Sequence, residues 1–326
     1  MTPPPTNPIE AFEAFKRTLV PDSRMTLCDV RIEGGALCGV ADKRLEADLY
    51  RFAADHRLGS RVTYPTPGRQ WVLRARAALR KSPEPGAAMV SEARYGEPLA
   101  VYDRQGDYVR VATTRDDYLG WIDLTDISHH LPEPTHRFTA LRGHVFAGPD
   151  VAAGRLLELS HGVALRVEAQ EGDWCRVAFG KGQTGYVRGT LLEPAGVPPR
   201  PATPEAIADF ARGFLQSPYV WGGVTAWGLD CSGFVQSVFA AHGLPLPRDA
   251  DLQEMSGVDI DPADAKPANL LFFPGHVAIS LGGSRFLHAN GHHMRVTIDD
   301  FTESEYGAGL REKLTRVVRV GGIADG

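Results

Sequence analysis

Apolar side chains recur at helical spacing over residues 8–20 and again over about 42–56, which predicts two amphipathic helices. Between them, residues 24–40 read as two strands around Glu33-Gly34-Gly35. The chain therefore opens with a small α+β segment. Apolar and basic residues alternate over 71–77, and Ser82-Pro83-Glu84-Pro85-Gly86 then breaks the pattern. A boundary is placed there, giving an N-terminal segment over residues 1–80.

A repeat follows. Gly96-Glu97-Pro98-Leu99-Ala100-Val101 precedes Gly106-Asp107-Tyr108-Val109-Arg110-Val111, and Tyr118-Leu119-Gly120-Trp121-Ile122 closes the unit. Offset by 66 residues, Gly162-Val163-Ala164-Leu165-Arg166-Val167 precedes Gly172-Asp173-Trp174-Cys175-Arg176-Val177, with Thr184-Gly185-Tyr186-Val187 closing. Short period-2 strands, a Gly-Asp turn and a strand end pairing glycine with an aromatic predict a small five- or six-stranded barrel twice, over 81–135 and 136–195. Both copies resemble bacterial SH3-type domains. Most of the aromatics in these copies, Tyr108, Trp121, Trp174 and Tyr186, read as core residues.

The Pro-rich stretch Leu192-Glu193-Pro194-Ala195-Gly196-Val197-Pro198-Pro199-Arg200-Pro201 reads as a linker to a last domain over 202–326. Thr203 fits an N-cap and Pro204 a first helical position, with Ala206, Ile207, Phe210 and Phe214 at helical spacing. A loop over 216–229 then leads to Asp230-Cys231-Ser232-Gly233-Phe234-Val235-Gln236-Ser237-Val238-Phe239, a second helix with Cys231 in its first turn. Downstream, Asn269-Leu270-Leu271-Phe272-Phe273 and His276-Val277-Ala278-Ile279-Ser280-Leu281 read as adjacent strands joined at Pro274-Gly275. Arg285-Phe286-Leu287-His288-Ala289 forms a third.

That order has chemical content. A helix N-terminus favours thiolate over thiol, and a neighbouring imidazole can complete a thiolate–imidazolium couple that attacks an amide carbonyl, the Cys231 backbone N–H helping to hold the oxyanion. His276 and His288 on neighbouring strands can supply the imidazole and the group that fixes its tautomer. The reading is a relay of Cys231, His276 and His288.

These residues and spacings resemble the NlpC/P60 family of cell-wall cysteine peptidases over about the last 125 residues. The likeness rests on Tyr219-Val220-Trp221-Gly222-Gly223, Asp230-Cys231-Ser232-Gly233-Phe234, Gly275-His276-Val277-Ala278-Ile279 and Phe286-Leu287-His288-Ala289. The resemblance implies a papain-like α+β catalytic domain behind two SH3-like barrels, with Cys231 as nucleophile, His276 as general base and His288 as orienting residue. It places the Tyr219 hydroxyl near the nucleophile and Ser232 among the substrate-binding residues. Within the family, the layout resembles the γ-D-glutamyl-L-diamino-acid dipeptidyl-peptidases, which implies short murein peptides, L-Ala-γ-D-Glu followed by meso-diaminopimelate or lysine, as partners. A free L-alanyl ammonium then needs carboxylate and phenol partners, and the resemblance points to Asp230, Asp249 and Tyr118. The family's glutamate on that wall maps to Val90; either Glu92, two residues on and on the same strand face, takes its place or the amine site differs. Ala250 stands where the family often has serine, and Asn269 where aspartate is usual.

Composition narrows the alternatives. A net charge of -5 gives no basic face for nucleic acid. No stretch approaches the length of a bilayer span, and the Pro-rich start lacks a basic region followed by an apolar run, so the expectation is a cytoplasmic protein without membrane partners. Four widely spaced cysteines, Cys28, Cys38, Cys175 and Cys231, suit free thiols rather than disulfides or zinc. His292 and His293 lack ligands to complete a metal set, His129 and His130 receive no role, and no cofactor is called for. Asp249 and Asp251 also read as caps of a helix beginning near Asp249. Two rival functions use the same residues: a non-catalytic peptidoglycan-binding protein, and an amidase or acyltransferase with the same relay.

Overall fold

The computed structural model describes residues 7–324; the first six residues, on which much of the no-leader reading rests, lie outside the described part. Helix α1 (Pro8–Leu19) starts where Asn7 accepts from the Ile9 N–H at 3.0 Å, and Pro8 takes a position whose N–H needs no partner. Strands β1 (Cys28–Glu33) and β2 (Ala36–Ala41) pair through a two-residue turn in which Gly34 and Gly35 both have positive φ, the geometry that matches strand twist. Helix α2 (Glu46–Asp55) returns the chain to β3 (Gly59–Thr63), parallel to β2. Phe12 and Phe15 of α1 pack on Phe52 of α2, with ring centroids 5.2 and 4.8 Å apart, and this forms the core of the N-terminal domain.

The first barrel starts earlier than the Pro-rich break suggests. Its sheet comprises β4 (Gly68–Val72), β5 (Arg76–Arg80), β6 (Met89–Arg94), β7 (Pro98–Gln105), β8 (Tyr108–Thr113), β9 (Leu119–Asp123) and β10 (Ile127–Ser128), in the order β10-β4-β7-β8-β9-β5-β6. Segment 82–86 is the loop between paired strands β5 and β6 rather than a domain linker, so the boundary at residue 80 moves to about residue 67. Prolines and glycines mark any sharp reversal, and here the reversal lies inside the barrel.

The second barrel comprises β11 (His136–Phe138), β12 (Arg142–Phe146), β13 (Arg155–Ser160), β14 (Ala164–Glu171), β15 (Trp174–Phe179), β16 (Gln183–Arg188) and β17 (Leu192–Pro194). Its order, β13-β12-β16-β15-β14-β11-β17, repeats the first strand for strand when read from the other end. Both sheets have seven strands, more than the five or six expected, because two-residue and three-residue edge strands complete them. Gly106 (φ 60) and Gly172 (φ 62) open the equivalent tight turns between Gln105 and Tyr108 and between Glu171 and Trp174. A first turn residue with positive φ is met by glycine at no steric cost, which explains the repeated Gly-Asp.

The last domain has α3 (Pro204–Arg212), a small hairpin of β18 (Val224–Thr225) and β19 (Gly228–Leu229), α4 (Cys231–Ala241) and the short α5 (Ala250–Gln253). A six-stranded antiparallel sheet follows, formed by β20 (Gly257–Asp259), β21 (Leu270–Phe273), β22 (His276–Ser280), β23 (Arg285–Asn290), β24 (Arg295–Asp300) and β25 (Arg316–Val320), with α6 (Glu305–Glu312) before the last strand. Leu270 and Phe272 join the core under α4, while Leu271 and Phe273 join a second core with Phe286, Phe301 and Leu310. Both faces of β21 are covered, which is why its sequence is continuously apolar rather than alternating. Among the described residues, no helix is long and apolar enough to cross a membrane.

The modules dock closely. Tyr95 of the first barrel accepts from the Gly180 N–H of the second at 3.0 Å, and Trp227 of the last domain donates to the Leu159 carbonyl at 3.0 Å. Gln236 of α4 donates to Asp116 of the first barrel at 2.7 Å. Helix α4 thus packs against β22 and β23, and its Gln236 reaches the first barrel.

Candidate active site

Cys231 occupies the first position of α4, where no preceding turn supplies a carbonyl for its N–H. Asp230 is the N-cap and accepts from the Gly233 N–H at 2.7 Å. Segment 222–223 lies directly on this turn: a Cβ on Gly233 would stand 2.1 Å from the Gly223 carbonyl oxygen. Only glycine permits that approach, so the Gly-Gly and Cys-Ser-Gly motifs are two sides of one backbone contact. The backbone N–H groups of Val277, one residue beyond His276 on β22, and of Ser232 both act to lower the Cys231 pKa, against its burial. Among the described residues, no hydrogen bond joins the sulfur to the His276 ring.

Behind His276 runs a continuous chain. His276 Nε2 lies 2.8 Å from His288 Nδ1, and His288 Nε2 lies 2.7 Å from Asp299 Oδ2. Asp299 also accepts from Thr297 at 3.1 Å, and His293 Nε2 stands 3.3 Å from its other oxygen. The proton positions follow. Asp299 is held below the usual carboxylate range, since burial is outweighed by the hydrogen bonds from His288 and Thr297 together with the neighbouring imidazoles, so it is ionised and can only accept. Asn290 Nδ2 also stands 2.9 Å from His288 Nε2, but it donates to Thr297 Oγ1 at 3.0 Å, and the ionised Asp299 at 2.7 Å takes the His288 Nε2–H. His288 Nδ1 then accepts from His276 Nε2–H, and His276 Nδ1 is left as a bare lone pair. A carboxylate two bonds away thus selects the tautomer of the outer imidazole.

The electrostatics depart from the thiolate–imidazolium expectation. Burial pushes the Cys231 thiol up to about 11, and the Asp230 carboxylate adds to the rise. His276 is driven down to about 3 by burial and by His288 beside it. Only 8% of Cys231 is exposed, and the desolvation cost of a sulfur anion there outweighs the helix N-terminus. The resting pair is neutral thiol and neutral imidazole.

The other expected residues divide into three groups. The Tyr219 phenol is pushed up to about 12 by burial, then by the thiol and Asp230, so it stays a protonated donor within electrostatic reach of the thiol. Asp230 and Ser232 are bound into a buried frame. Arg248, 1% exposed, reaches both Asp230 oxygens at 3.0 and 2.6 Å, the Ser232 hydroxyl at 2.9 Å and Ser91 of the first barrel at 3.0 Å. With the Gly222 N–H at 2.8 Å as well, Asp230 has both oxygens engaged and is not the open ammonium acceptor the resemblance implies. Tyr118 and Asp249 meet directly: the phenol donates to Asp249 Oδ2 at 2.9 Å, and burial followed by this carboxylate raises its pKa. Asp249 sits at the N-cap of α5 but makes no side-chain cap bond, because its carboxylate turns to the barrel instead. Glu92 lies elsewhere. It is buried between barrel and last domain, its carboxylate facing the Val224 N–H at 3.4 Å, and burial raises its pKa.

Three residues absent from the sequence reading prove central. Asp299 ends the histidine chain; its sequence signal is the alternation His288/Asn290 and Thr297/Asp299 on the hairpin of β23 and β24, whose register pairs His288 with Thr297. Arg248 has no signal beyond its place beside Asp249. Arg24, in the N-terminal domain, lies 2.7 Å from the same Asp249 oxygen that Tyr118 uses.

Comparison with known proteins agrees with this architecture. The NlpC/P60 family matches residues 216–319, the bacterial dipeptidyl-peptidase Sh3 domain matches 79–127 and the bacterial SH3 domain matches 140–194. The gamma-D-glutamyl-L-lysine dipeptidyl-peptidase of Bacillus subtilis is 30% identical over 227 residues, covering 65% of this chain and 76% of its own. Dipeptidyl-peptidase 6 of Lysinibacillus sphaericus is 26% identical over 266 residues, covering 76% and 97%. A crystal structure of an NlpC/P60 family protein from Bacillus cereus superposes with a TM-score of 0.67 at 22% identity, covering 78% of this chain and 99% of that one, and so shares the fold. Fold and matches together define a cysteine peptidase. More particularly, the chain belongs to the NlpC/P60 family, with two SH3 domains ahead of its catalytic domain.

Proposed function

We propose that the protein hydrolyses the bond between γ-D-glutamate and a diamino acid, meso-diaminopimelate or lysine, in short murein peptides with a free N-terminal L-alanine. The observation that carries the reading is the Asp299–His288–His276 chain, which leaves His276 Nδ1 unprotonated on the strand whose next backbone N–H, that of Val277, acts on the Cys231 thiol. The names of the Bacillus subtilis and Lysinibacillus sphaericus relatives support the dipeptidyl-peptidase part of the reading.

In this reading Cys231 passes its proton to His276 Nδ1 as the sulfur attacks the γ-carbonyl, and the oxyanion meets the Cys231 N–H and the Tyr219 hydroxyl. The C–N bond breaks as His276 returns the proton to the departing amine. Water, deprotonated by the same imidazole, then cleaves the thioester and releases L-Ala-γ-D-Glu. Because the resting pair is neutral, proton transfer and attack occur together. Tyr118 and Asp249 face the free ammonium, with the barrel as a wall that admits only short peptides. Asp230, Ser232 and Glu92 act through the frame that holds this wall against α4. The setting proposed is cytoplasmic recycling of cell-wall peptides.

Incubation with L-Ala-γ-D-Glu-meso-diaminopimelate, and with its L-lysine counterpart, is expected to release L-Ala-γ-D-Glu, read by mass spectrometry. A binding-only protein returns both peptides intact, and a transferase gives a product only with an added acceptor amine. N-acetylation of the alanine removes the ammonium and is expected to slow cleavage by about 10²-fold or more, since the charge-assisted contact between substrate and Asp249 is then lost.

The pH dependence follows from His276. Only the neutral ring accepts the thiol proton, and burial holds its pKa down to about 3. The acid limb of kcat/KM is therefore expected well below an ordinary histidine limb, with activity level from about pH 7 to about pH 5. An acid limb centred near about 6.5 contradicts the buried, histidine-backed imidazole.

A further inference from the structure

We infer that Arg24 is a positioning residue for the Asp249 carboxylate, so that the N-terminal domain completes the pocket that receives the substrate ammonium. The inference rests on the free-amine reading above. It gives a role to a domain that lies ahead of all three matched family regions.

Segment 20–27, between α1 and β1, crosses to the first barrel and the last domain together. Its backbone is anchored beside Tyr118, where the Leu119 N–H donates to the Arg24 carbonyl at 2.8 Å. The guanidinium then spends its donors on three carboxylates. Nη1 reaches Asp249 Oδ2 at 2.7 Å and Asp251 Oδ1 at 3.0 Å; Nη2 reaches Asp251 Oδ2 at 2.7 Å and Asp22 Oδ2 at 2.6 Å. Nε is shared between the two Asp22 oxygens at 2.9 and 3.1 Å. A planar, fully engaged guanidinium has little freedom to turn, and it therefore fixes what it holds.

Two donors converge on one oxygen. Arg24 Nη1 and the Tyr118 hydroxyl both bond Asp249 Oδ2, at 2.7 and 2.9 Å, and neither takes Oδ1. The carboxylate is pinned along one edge with its other oxygen offered to a ligand. Charge is not cancelled: Arg24 and Arg248, both of which act on Asp249, stand against Asp22, Asp230, Asp249 and Asp251, which leaves two negative charges, so the locality still favours a cation. Arg24 thus aims Asp249 without neutralising the site. Loss of Arg24 frees the carboxylate to rotate and weakens ammonium binding, while the relay of Cys231 and His276 is untouched.

The test is Arg24→Gln in the full-length protein, assayed on the free-amine peptide and its N-acetylated form. The expected result is a KM raised about tenfold with kcat within about twofold, and a smaller preference for the free amine. Arg24→Lys keeps a cation but cannot bridge Asp22, Asp249 and Asp251 together, and is expected to restore part of the KM and of the preference. A lower melting temperature with unchanged KM and unchanged preference overturns the inference, reducing Arg24 to an interdomain tie. If Arg24→Gln does not fold, Arg24→Lys decides, wild-type KM and wild-type preference again overturning it. Wild-type enzyme that shows no preference for the free amine instead sinks the substrate reading on which the inference rests.

Discussion

Cys231→Ala is expected to remove turnover of L-Ala-γ-D-Glu-diamino acid peptides, a loss of at least about 10³-fold, and His276→Ala to match it, because nucleophile and base act as one unit. The informative variants lie further back. His288→Ala leaves the His276 ring in place but removes the acceptor of its Nε2–H, so a residual rate is expected. Asp299→Asn is sharper. An asparagine can offer its N–H to His288 Nε2, which moves the His288 proton to Nδ1; that proton then points at His276 Nε2 and drives the His276 proton to Nδ1, the side where the base must be bare. A loss of about 10²- to 10⁴-fold is expected with folding intact, since tautomer rather than packing changes. Steady-state kinetics with circular dichroism as a fold control decide it. An Asp299→Asn enzyme within about twofold of wild type removes the carboxylate from the chain.

The largest effect on stability is expected from Arg248→Met. The guanidinium is 1% exposed and holds Asp230, Ser232 and Ser91 at once. Removing one partner of a buried pair strands the other, and Asp230 would keep only the Gly222 and Gly233 N–H groups and the Ser232 hydroxyl. The expected cost is about 3–5 kcal/mol, seen as a melting transition lowered by roughly 10 °C. The double variant Arg248→Met with Asp230→Asn is expected to recover part of the loss, because no charge is then left unpaired. Equal melting of single and double variants shows that packing, rather than the stranded carboxylate, sets the cost.

Much of this architecture is written locally. The 66-residue repeat predicts two barrels, and the structure repeats strand order and turn geometry between them. Thr203 announces a helix start because a short polar side chain ahead of an apolar run bonds the free N–H groups of the first turn, as it does here. The Pro-rich stretch at 82–86 misled because such residues report a reversal of the chain without saying whether the flanking strands pair. Helix position likewise predicted a lowered thiol pKa, whereas the depth of burial, a property of everything packed around residue 231, reverses the direction.

What the amino-acid order determined by itself is the set of modules and the presence of a cysteine at a helix start with two histidines on later strands, since each is a short-range pattern of spacing and turn residues. Which carboxylate backs the histidines, which arginine closes on Asp230, and that Arg24 reaches Asp249 across 225 positions were decided only when the domains docked. Those partners are chosen by distance and desolvation between surfaces that lie far apart in the chain, and no local spacing encodes them.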